Sequence, residues 1–402
     1  MNKYKRLLVV LCILMLQLPL LAQQDSLRYR AYSQYKRQLF QPAINTLKLL
    51  LEQNKQDVHT HSFLAHCYLK HGQLSKARKY ALKAEDFRKG SGQLVLARVA
   101  TAVDSFDKAL THLESLRKSR YRCHYHQCMS DDYLLPLIYS ESWEEACENG
   151  FFKPYEFFYH RVLQALDEQM YGEALGWIRD IQVAHPREHY AWFLEAVVLQ
   201  AMDKQRDALK KLDHALGLYS PIAEYQGLKV ELCISLQQPD EGLFALRRYR
   251  HYAPFDAESL LWEAKLRNMD KDTPKALETL ATYQEFFPNS HKAIHLQAQL
   301  MKDADKPLDA LRTVNSLMRE RSSDASLYQL RGELYLETRS YRFAEKDFSM
   351  ALDLSPANAA LWLQKGMARW LQGDSEGACS DWQWARHYGN KEAVKKLLDH
   401  CQ

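Results

Sequence analysis

A small residue recurs every 34 positions through more than half of this chain, and that spacing limits the possible folds more than any other feature. Alanine or glycine occupies seven consecutive steps: Ala174, Ala208, Gly242, Ala276, Ala310, Ala344 and Ala378. Proline stands twelve residues after four of them, at Pro186, Pro254, Pro288 and Pro356. Small residues let helices approach closely and proline ends a helix, so the period predicts a stack of repeated helix pairs.

The composition agrees with a helical chain. Only 14 glycines and 12 prolines occur in 402 residues, which leaves few positions for β-turns. The formal charge of +4 includes Lys3, Lys5 and Arg6 of the N-terminal segment. Without that segment the charge is close to neutral, and we expect no nucleic acid among the partners.

The unit "ASLYQLRGELYLETRSYRFAEKDFSMALDLSP" shows the pattern most completely. Its marker residues are Tyr328, Gly332, Tyr335, Ala344, Phe348, Ala351 and Pro356. In these residues and spacings it resembles the tetratricopeptide repeat (TPR), a 34-residue helix-turn-helix. The resemblance implies an all-α fold, a right-handed α–α superhelix (TPR solenoid), with a concave groove that binds a protein or peptide.

The spacing also predicts how the chain is divided. We expect a signal peptide at 1–22, TPR-like repeats at 23–87, an irregular or degenerate repeat region at 88–153, seven TPR units at 154–389, and a C-terminal capping helix at 390–402. The small residues Ala43 and Ala77 are again 34 apart, whereas the intervals around Ala109 and Ala146 depart from 34.

Residues 1–22, "MNKYKRLLVVLCILMLQLPLLA", have the layout of a secretory signal peptide. Basic residues precede an apolar run that is too short to span a membrane, and Ala22 is the expected cleavage position. Cys12 lies within the run, so a lipid anchor on it is not expected. The terminal segments "GACSDWQWARHYGN" and "LLDHC" resemble exported bacterial repeat proteins, which implies the periplasm or cell surface of a Gram-negative bacterium.

No sequence motif for catalysis is present. Phosphate-binding glycine loops and nucleophile-elbow serines are absent. His185 and His189 have the spacing of a zinc-peptidase motif, but Pro186 is expected to place them on different elements. We therefore expect no enzyme activity, no cofactor and no metal. The alternative is an enzyme or metal-dependent factor with its site in the irregular region at 88–150.

The stretch "CHYHQC" leaves several interpretations open. Cys123 and Cys128, with His124 and His126 between them, could hold a metal, form a local disulfide, or be ordinary loop residues. Their pairing with one another or with Cys147 does not follow from the sequence.

In the TPR family the inner face of each first helix lines the groove. Carried over by repeat register, this face includes Tyr159, Tyr190 and Phe193, and we expect these rings to form an aromatic patch that anchors a peptide. Packing against neighbouring helices is the alternative. The expected function is a non-enzymatic scaffold for protein–protein interaction in the cell envelope, and peripheral membrane association through a partner is left open.

The last two cysteines are candidates for a disulfide. Gly389 is suited to end the last repeat helix. Cys379 lies ten residues before Gly389 and Cys401 eleven residues after Asn390, so two antiparallel helices bring them to the same level. We expect this bond to hold the closing helix, with two free thiols as the alternative.

Overall fold

A computed structural model describes residues 23–319 and 323–401 of the protein. The described chain is all-α, with 24 helices and no strand. It divides into two compact units, which meet at Trp262 and Glu263 in the sequence. The predicted signal peptide, residues 1–22, lies outside the described residues.

The helices of the first unit form pairs in chain order, apart from three short helices. They are α1 (23–36), α2 (Phe40–Gln53), α3 (Val58–Lys70), α4 (Leu74–Phe87), α5 (Gln93–Thr101), α6 (Phe106–Arg117), α7 (Tyr125–Met129), α8 (Leu135–Ile138), α9 (Glu141–Glu148), α10 (Pro154–Asp167), α11 (Tyr171–Ala184), α12 (His189–Ala201), α13 (Gln205–Leu218), α14 (Ala223–Ser235) and α15 (Pro239–Tyr252).

The unit boundary falls within α16 (Ser259–Met269), and the second unit continues the helix pairs to a closing helix. Its helices are α17 (Thr273–Phe286), α18 (His291–Asp303), α19 (Pro307–Met318), α20 (Ala325–Glu337), α21 (Tyr341–Leu354), α22 (Ala359–Gln372), α23 (Ser375–His387) and α24 (Lys391–His400).

The seven small residues at the 34-residue spacing are the contact points that the sequence predicts. All seven are buried on the second helix of a pair. On the first helices, Gly332 and Gly366 leave room for large rings. A Cβ atom at Gly332 would lie 2.7 Å from the Phe348 ring, and one at Gly366 would lie 2.5 Å from Nε1 of Trp382. The period therefore records close packing between the two helices of a pair, and in these two pairs a ring fills the space.

The turns between the two helices of each pair share a backbone conformation that the sequence does not predict. Six non-glycine residues, again 34 apart, have φ between 55° and 61°: Gln169, Asp203, Gln237, Lys271, Asp305 and Arg339. The seventh position is Gly373, with φ of 92°. The left-handed conformation ends the first helix, and glycine adopts it most easily.

The region at 88–153 is more regular than its spacing indicates. It contains the pair α5/α6, in which Ala97 and Ala109 are fully buried. Only α7, α8 and α9 depart from the paired pattern. They surround a core that includes Leu134, Trp143 and Phe152.

The closing helix α24 packs Ala393 and Leu397 against the last repeat. Trp382 is fully buried there, while Trp384 is 47% exposed. The structure joins Cys379 to Cys401 through their sulfur atoms, with the Cα atoms 5.8 Å apart. The bond in the protein in solution stays a prediction.

Candidate functional site

A cavity of about 900 Å³ lies inside the first unit. First helices supply part of its walls: α3 contributes His59, Ser62, Phe63 and His66, α5 contributes Val95 and Arg98, α12 contributes His189 and Tyr190, and α14 contributes Glu224 and Tyr225. Most of the remaining lining comes from the segments 88–91, 116–122, 219–222 and 252–256. The cavity therefore lies between first helices and the connecting segments beside them.

The cavity is narrowed on one side because the segment after α15 reaches the N-terminal helix pairs. Phe255 is buried among apolar residues of α1 to α5, and its ring centroid lies 4.8 Å from that of Phe63. On another side, the Tyr219 hydroxyl donates to the backbone oxygen of Arg120 at 3.4 Å. These contacts join repeats that are far apart in sequence.

The three predicted groove rings lie together, but not as an open patch. Tyr190 is 4.9 Å from Tyr159 and 5.6 Å from Phe193, measured between ring centroids. Tyr159 is 0% exposed, and Tyr190 and Phe193 are each 4% exposed. Of the three, Tyr190 alone lines the cavity. Tyr159 and Phe193 are placed in the core behind it, so direct contact with a partner is left to Tyr190.

A buried carboxylate anchors the wall beside these rings. Glu156 of α10 is fully buried, and one of its oxygens accepts from Arg117 at 3.1 Å and from Arg122 at 2.9 Å. Burial alone would raise the pKa of Glu156, but His124, Arg122 and Arg117 together lower it to about 2. The carboxylate is therefore ionised and holds segment 117–122 against α10.

Comparison with known proteins gives a structural match and no sequence match. No family model matches the chain, and no curated protein does. A tetratricopeptide repeat protein from Parabacteroides merdae is similar in structure, with a TM-score of 0.53 and 21% identity; the match covers 61% of this chain and 97% of that one. The chain has the tetratricopeptide-repeat fold.

Yeast Tom70 also matches this TPR chain, with a TM-score of 0.45 and 13% identity over 94% of this chain and 96% of its own. No helix among the described residues of the TPR chain is long and apolar enough to cross a membrane.

Two histidines in the cavity wall, His66 and His189, are held neutral. Burial is the main cause that lowers the pKa of His66 to about 4, and Arg98 and Lys70 act in the same direction. Burial also lowers the pKa of His189 to about 4, where Glu188 opposes it. His189 shares a hydrogen bond with the Tyr225 hydroxyl at 2.7 Å. Both ring nitrogens of His66 already have partners, the Tyr35 hydroxyl at 2.8 Å and Arg98 at 3.2 Å. These two rings therefore carry no charge at neutral pH.

Positive charge in the wall is only partly balanced. Arg98 pairs with Asp131 at 2.7 Å, and Arg117 and Arg122 pair with Glu156. Within the described residues, no carboxylate lies at ion-pair distance from Arg88 or Arg120, both of which line the cavity. These two guanidinium groups are available to a ligand with carbonyl or carboxylate oxygens.

The histidine and cysteine motifs of the sequence do not assemble a metal centre in the described part of the TPR chain. His185 follows the last residue of α11 and His189 is the first residue of α12, so the two do not share a helix, as Pro186 indicates. Cys123 and Cys128 lie with their sulfur atoms 3.1 Å apart.

Sequence reasoning missed the residues that enclose the cavity. The basic run at 117–122 is visible in the sequence, but nothing in the run points to Glu156, which is 34 residues from Arg122 and 39 from Arg117. Phe255 follows a repeat proline and looks like an ordinary turn residue. Its burial depends on where the earlier pairs lie.

Proposed function

We propose that this TPR protein is an exported, non-enzymatic scaffold whose first unit holds a segment of a protein partner in its cavity. The cavity itself carries the proposal, because first helices and the segments that connect the pairs bring aromatic, basic and histidine side chains to one space. Its volume of about 900 Å³ lies within the range of about 300–1,000 Å³ that is common for ligand sites.

The chemistry of the wall favours a peptide over a purely apolar ligand. His66 and His189 carry no charge at neutral pH, since the pKa of each is about 4. Tyr190 and Phe63 offer aromatic surface, and Arg88 and Arg120 face the cavity without a carboxylate partner. Backbone carbonyls and acidic side chains of a peptide satisfy such groups, while its apolar side chains cover the rings.

Photocross-linking from single positions tests the binding proposal. A photoreactive residue at Ser62 or Gln127 in the cavity wall should cross-link one identifiable partner in the native envelope fraction. The matched control is the same residue at Lys108, an exposed position on α6 outside the lining. Equal yields of the same partner from Lys108 would argue against the cavity as the binding site.

Export has its own test. We expect the native protein to begin at Gln23, because the apolar run of the N-terminal segment is short and ends at Ala22. Intact mass of protein from its native source measures this directly. A retained N-terminus, or a lipid on Cys12, would contradict export by cleavage without contradicting the binding proposal.

A further inference from the structure

The thiols of Cys123 and Cys128 lie in contact, beside the cavity wall of the first unit. The Sγ atoms of Cys123 and Cys128 are 3.1 Å apart. Both side chains are buried, Cys123 at 7% and Cys128 at 1% exposure. A disulfide has a sulfur–sulfur distance of about 2.05 Å, so closing the bond moves the two sulfurs together by about 1 Å.

The backbone already holds the two residues in this arrangement. The His124 amide donates to the side chain of Gln127 at 2.9 Å, and the Gln127 and Cys128 amides donate to the His124 carbonyl at 3.0 and 3.2 Å. These bonds form the tight start of α7. Bond closure therefore needs rotation of the cysteine side chains rather than refolding of the segment.

We propose that Cys123 and Cys128 are a redox modification site that forms a disulfide. The two thiols react with a disulfide oxidant, such as oxidised glutathione, in two exchange steps. The sulfur–sulfur bond of the oxidant breaks, the Cys123–Cys128 bond forms, and two molecules of reduced thiol leave with the two protons. The site is independent of any partner in the cavity.

The bond would fix the wall beside Tyr190. His124 stacks on the Tyr190 ring with centroids 4.1 Å apart, and His126 shares a hydrogen bond with the Tyr190 hydroxyl at 3.0 Å. Both histidines lie between the two cysteines in sequence. A covalent bridge between Cys123 and Cys128 therefore limits the motion of Tyr190, the one ring of the predicted groove patch that reaches the cavity.

Burial determines when the bond can form. The contact with Cys123, together with burial, raises the pKa of the Cys128 thiol well above its ordinary value. A thiol in this state exchanges slowly. We therefore expect the bond to form while the chain folds, before the segment is covered.

Alkylation after oxidative refolding tests the site, using the full chain with Cys379→Ser and Cys401→Ser so that the other predicted bond cannot contribute. The chain is refolded with a glutathione mixture, unfolded without reductant, and alkylated. Peptide mapping should then find Cys67, Cys147 and Cys233 modified, and Cys123 and Cys128 protected. Cleavage after Tyr125 separates the two cysteines only once the bond is reduced.

The matched control adds Cys123→Ser, which should leave Cys128 fully modified. Reduction should add about 2 Da to the mass of the parent variant and nothing to this control. Full modification of both cysteines in the parent overturns the proposal. Protection that a metal chelator removes also overturns it, because the thiols would then be metal ligands.

Discussion

Glu156 is the single residue on which the wall of the first unit depends most. Its carboxylate is fully buried and compensates two guanidinium groups, Arg117 and Arg122, that are themselves largely covered. A buried charge that loses its partner costs about 3–5 kcal/mol, whereas an exposed pair contributes about 0–1 kcal/mol. The contrast between these values allows a matched test.

Glu156→Gln should lower the free energy of unfolding by about 3 kcal/mol, because Arg117 loses its counter-charge while buried and Arg122 keeps only the longer contact with Glu188 at 3.8 Å. Urea unfolding measures the change. The control is Glu114→Gln, since Glu114 pairs with Lys118 on the surface, and its effect should be near zero. Equal effects of the two substitutions would show that the buried network does not stabilise the wall.

For single residues, the sequence predicted which helix face a side chain lies on better than it predicted whether that side chain is buried. Repeat register placed Tyr159, Tyr190 and Phe193 on one face, and the structure brings the three rings together. It could not predict that two of them are covered, because the covering residues come from α7 and α14, which join the cluster through tertiary packing.

The turn between the helices of a pair is the element whose sequence fits its backbone least well. Lys271, before α17, has φ of 61°, a region where a side chain costs roughly 1 kcal/mol or more relative to glycine. The Lys271 side chain is exposed, so its contacts do little to offset this conformational cost. Gly373 shows that the same position accepts glycine.

Lys271→Gly should therefore stabilise the second unit by about 1 kcal/mol, because glycine adopts the left-handed conformation without strain. Glu278→Gly is the control with the opposite sign. Glu278 is exposed in the interior of α17, where glycine costs about 1 kcal/mol. Thermal unfolding compares the two. A lower melting temperature for Lys271→Gly would contradict the backbone argument.

The closing helix α24 provides the second prediction at the element scale. Cys401 lies at its end, and His400 packs on Trp370 with ring centroids 4.6 Å apart. We expect Cys379 and Cys401 to resist alkylation in the unfolded, unreduced protein. Cys401→Ser should lower the stability of the second unit by about 3 kcal/mol, since a bridge across 22 residues restricts the unfolded chain.

Reduced wild-type protein is the control for this helix. Its second unit should match that of the reduced Cys401→Ser variant in stability, because both proteins then lack every disulfide and keep the same packing. Complete alkylation of both cysteines before reduction would show that the bond is absent and that α24 is held by packing alone.

Helix pairs that keep the 34-residue spacing could be predicted individually from the sequence, and helices that depart from it could not. The seven pairs from α10 to α23 follow the 34-residue spacing. The pair α5/α6 lies in the stretch that was predicted only as irregular or degenerate repeats, because Ala77 and Ala109 are 32 residues apart. That interval breaks the register although both alanines are buried as in the other pairs. The short helices α7 to α9 have no repeat spacing that could reveal them.

Within the first unit, some contacts join helices that are far apart in sequence, and a repeat pattern cannot predict such contacts. A period predicts that each pair packs on its neighbours. It does not predict that Phe255 enters the apolar cluster of α1 to α5, because this contact depends on the accumulated path of the intervening pairs. The cavity of the first unit results from that contact.

The first unit should lose stability as the pH falls from 6.5 towards 4. Burial lowers the pKa of His126 to about 4, with His124 and His160 acting in the same direction and Glu156 against them. The pKa values of His66 and His189 are lowered to about 4 as well. The unfolded chain binds protons at these rings near pH 6.5 and the folded chain does not, so acid favours unfolding. Below about pH 4.5 Glu156 adds to the loss, since its pKa in the folded protein is about 2.

Hydrogen exchange of α10 and α12 peptides at fixed urea concentration, followed from pH 7.5 to 4, measures this loss once the rates are corrected for intrinsic exchange. His126→Gln should flatten the profile between pH 6.5 and 4, because it removes one of the buried titrating rings and keeps a hydrogen-bonding side chain. The same variant should leave the loss below pH 4.5 in place, where Glu156 titrates. Protection that stays constant from pH 7 to 4 in the parent protein would contradict the assignment of these histidines as buried and neutral.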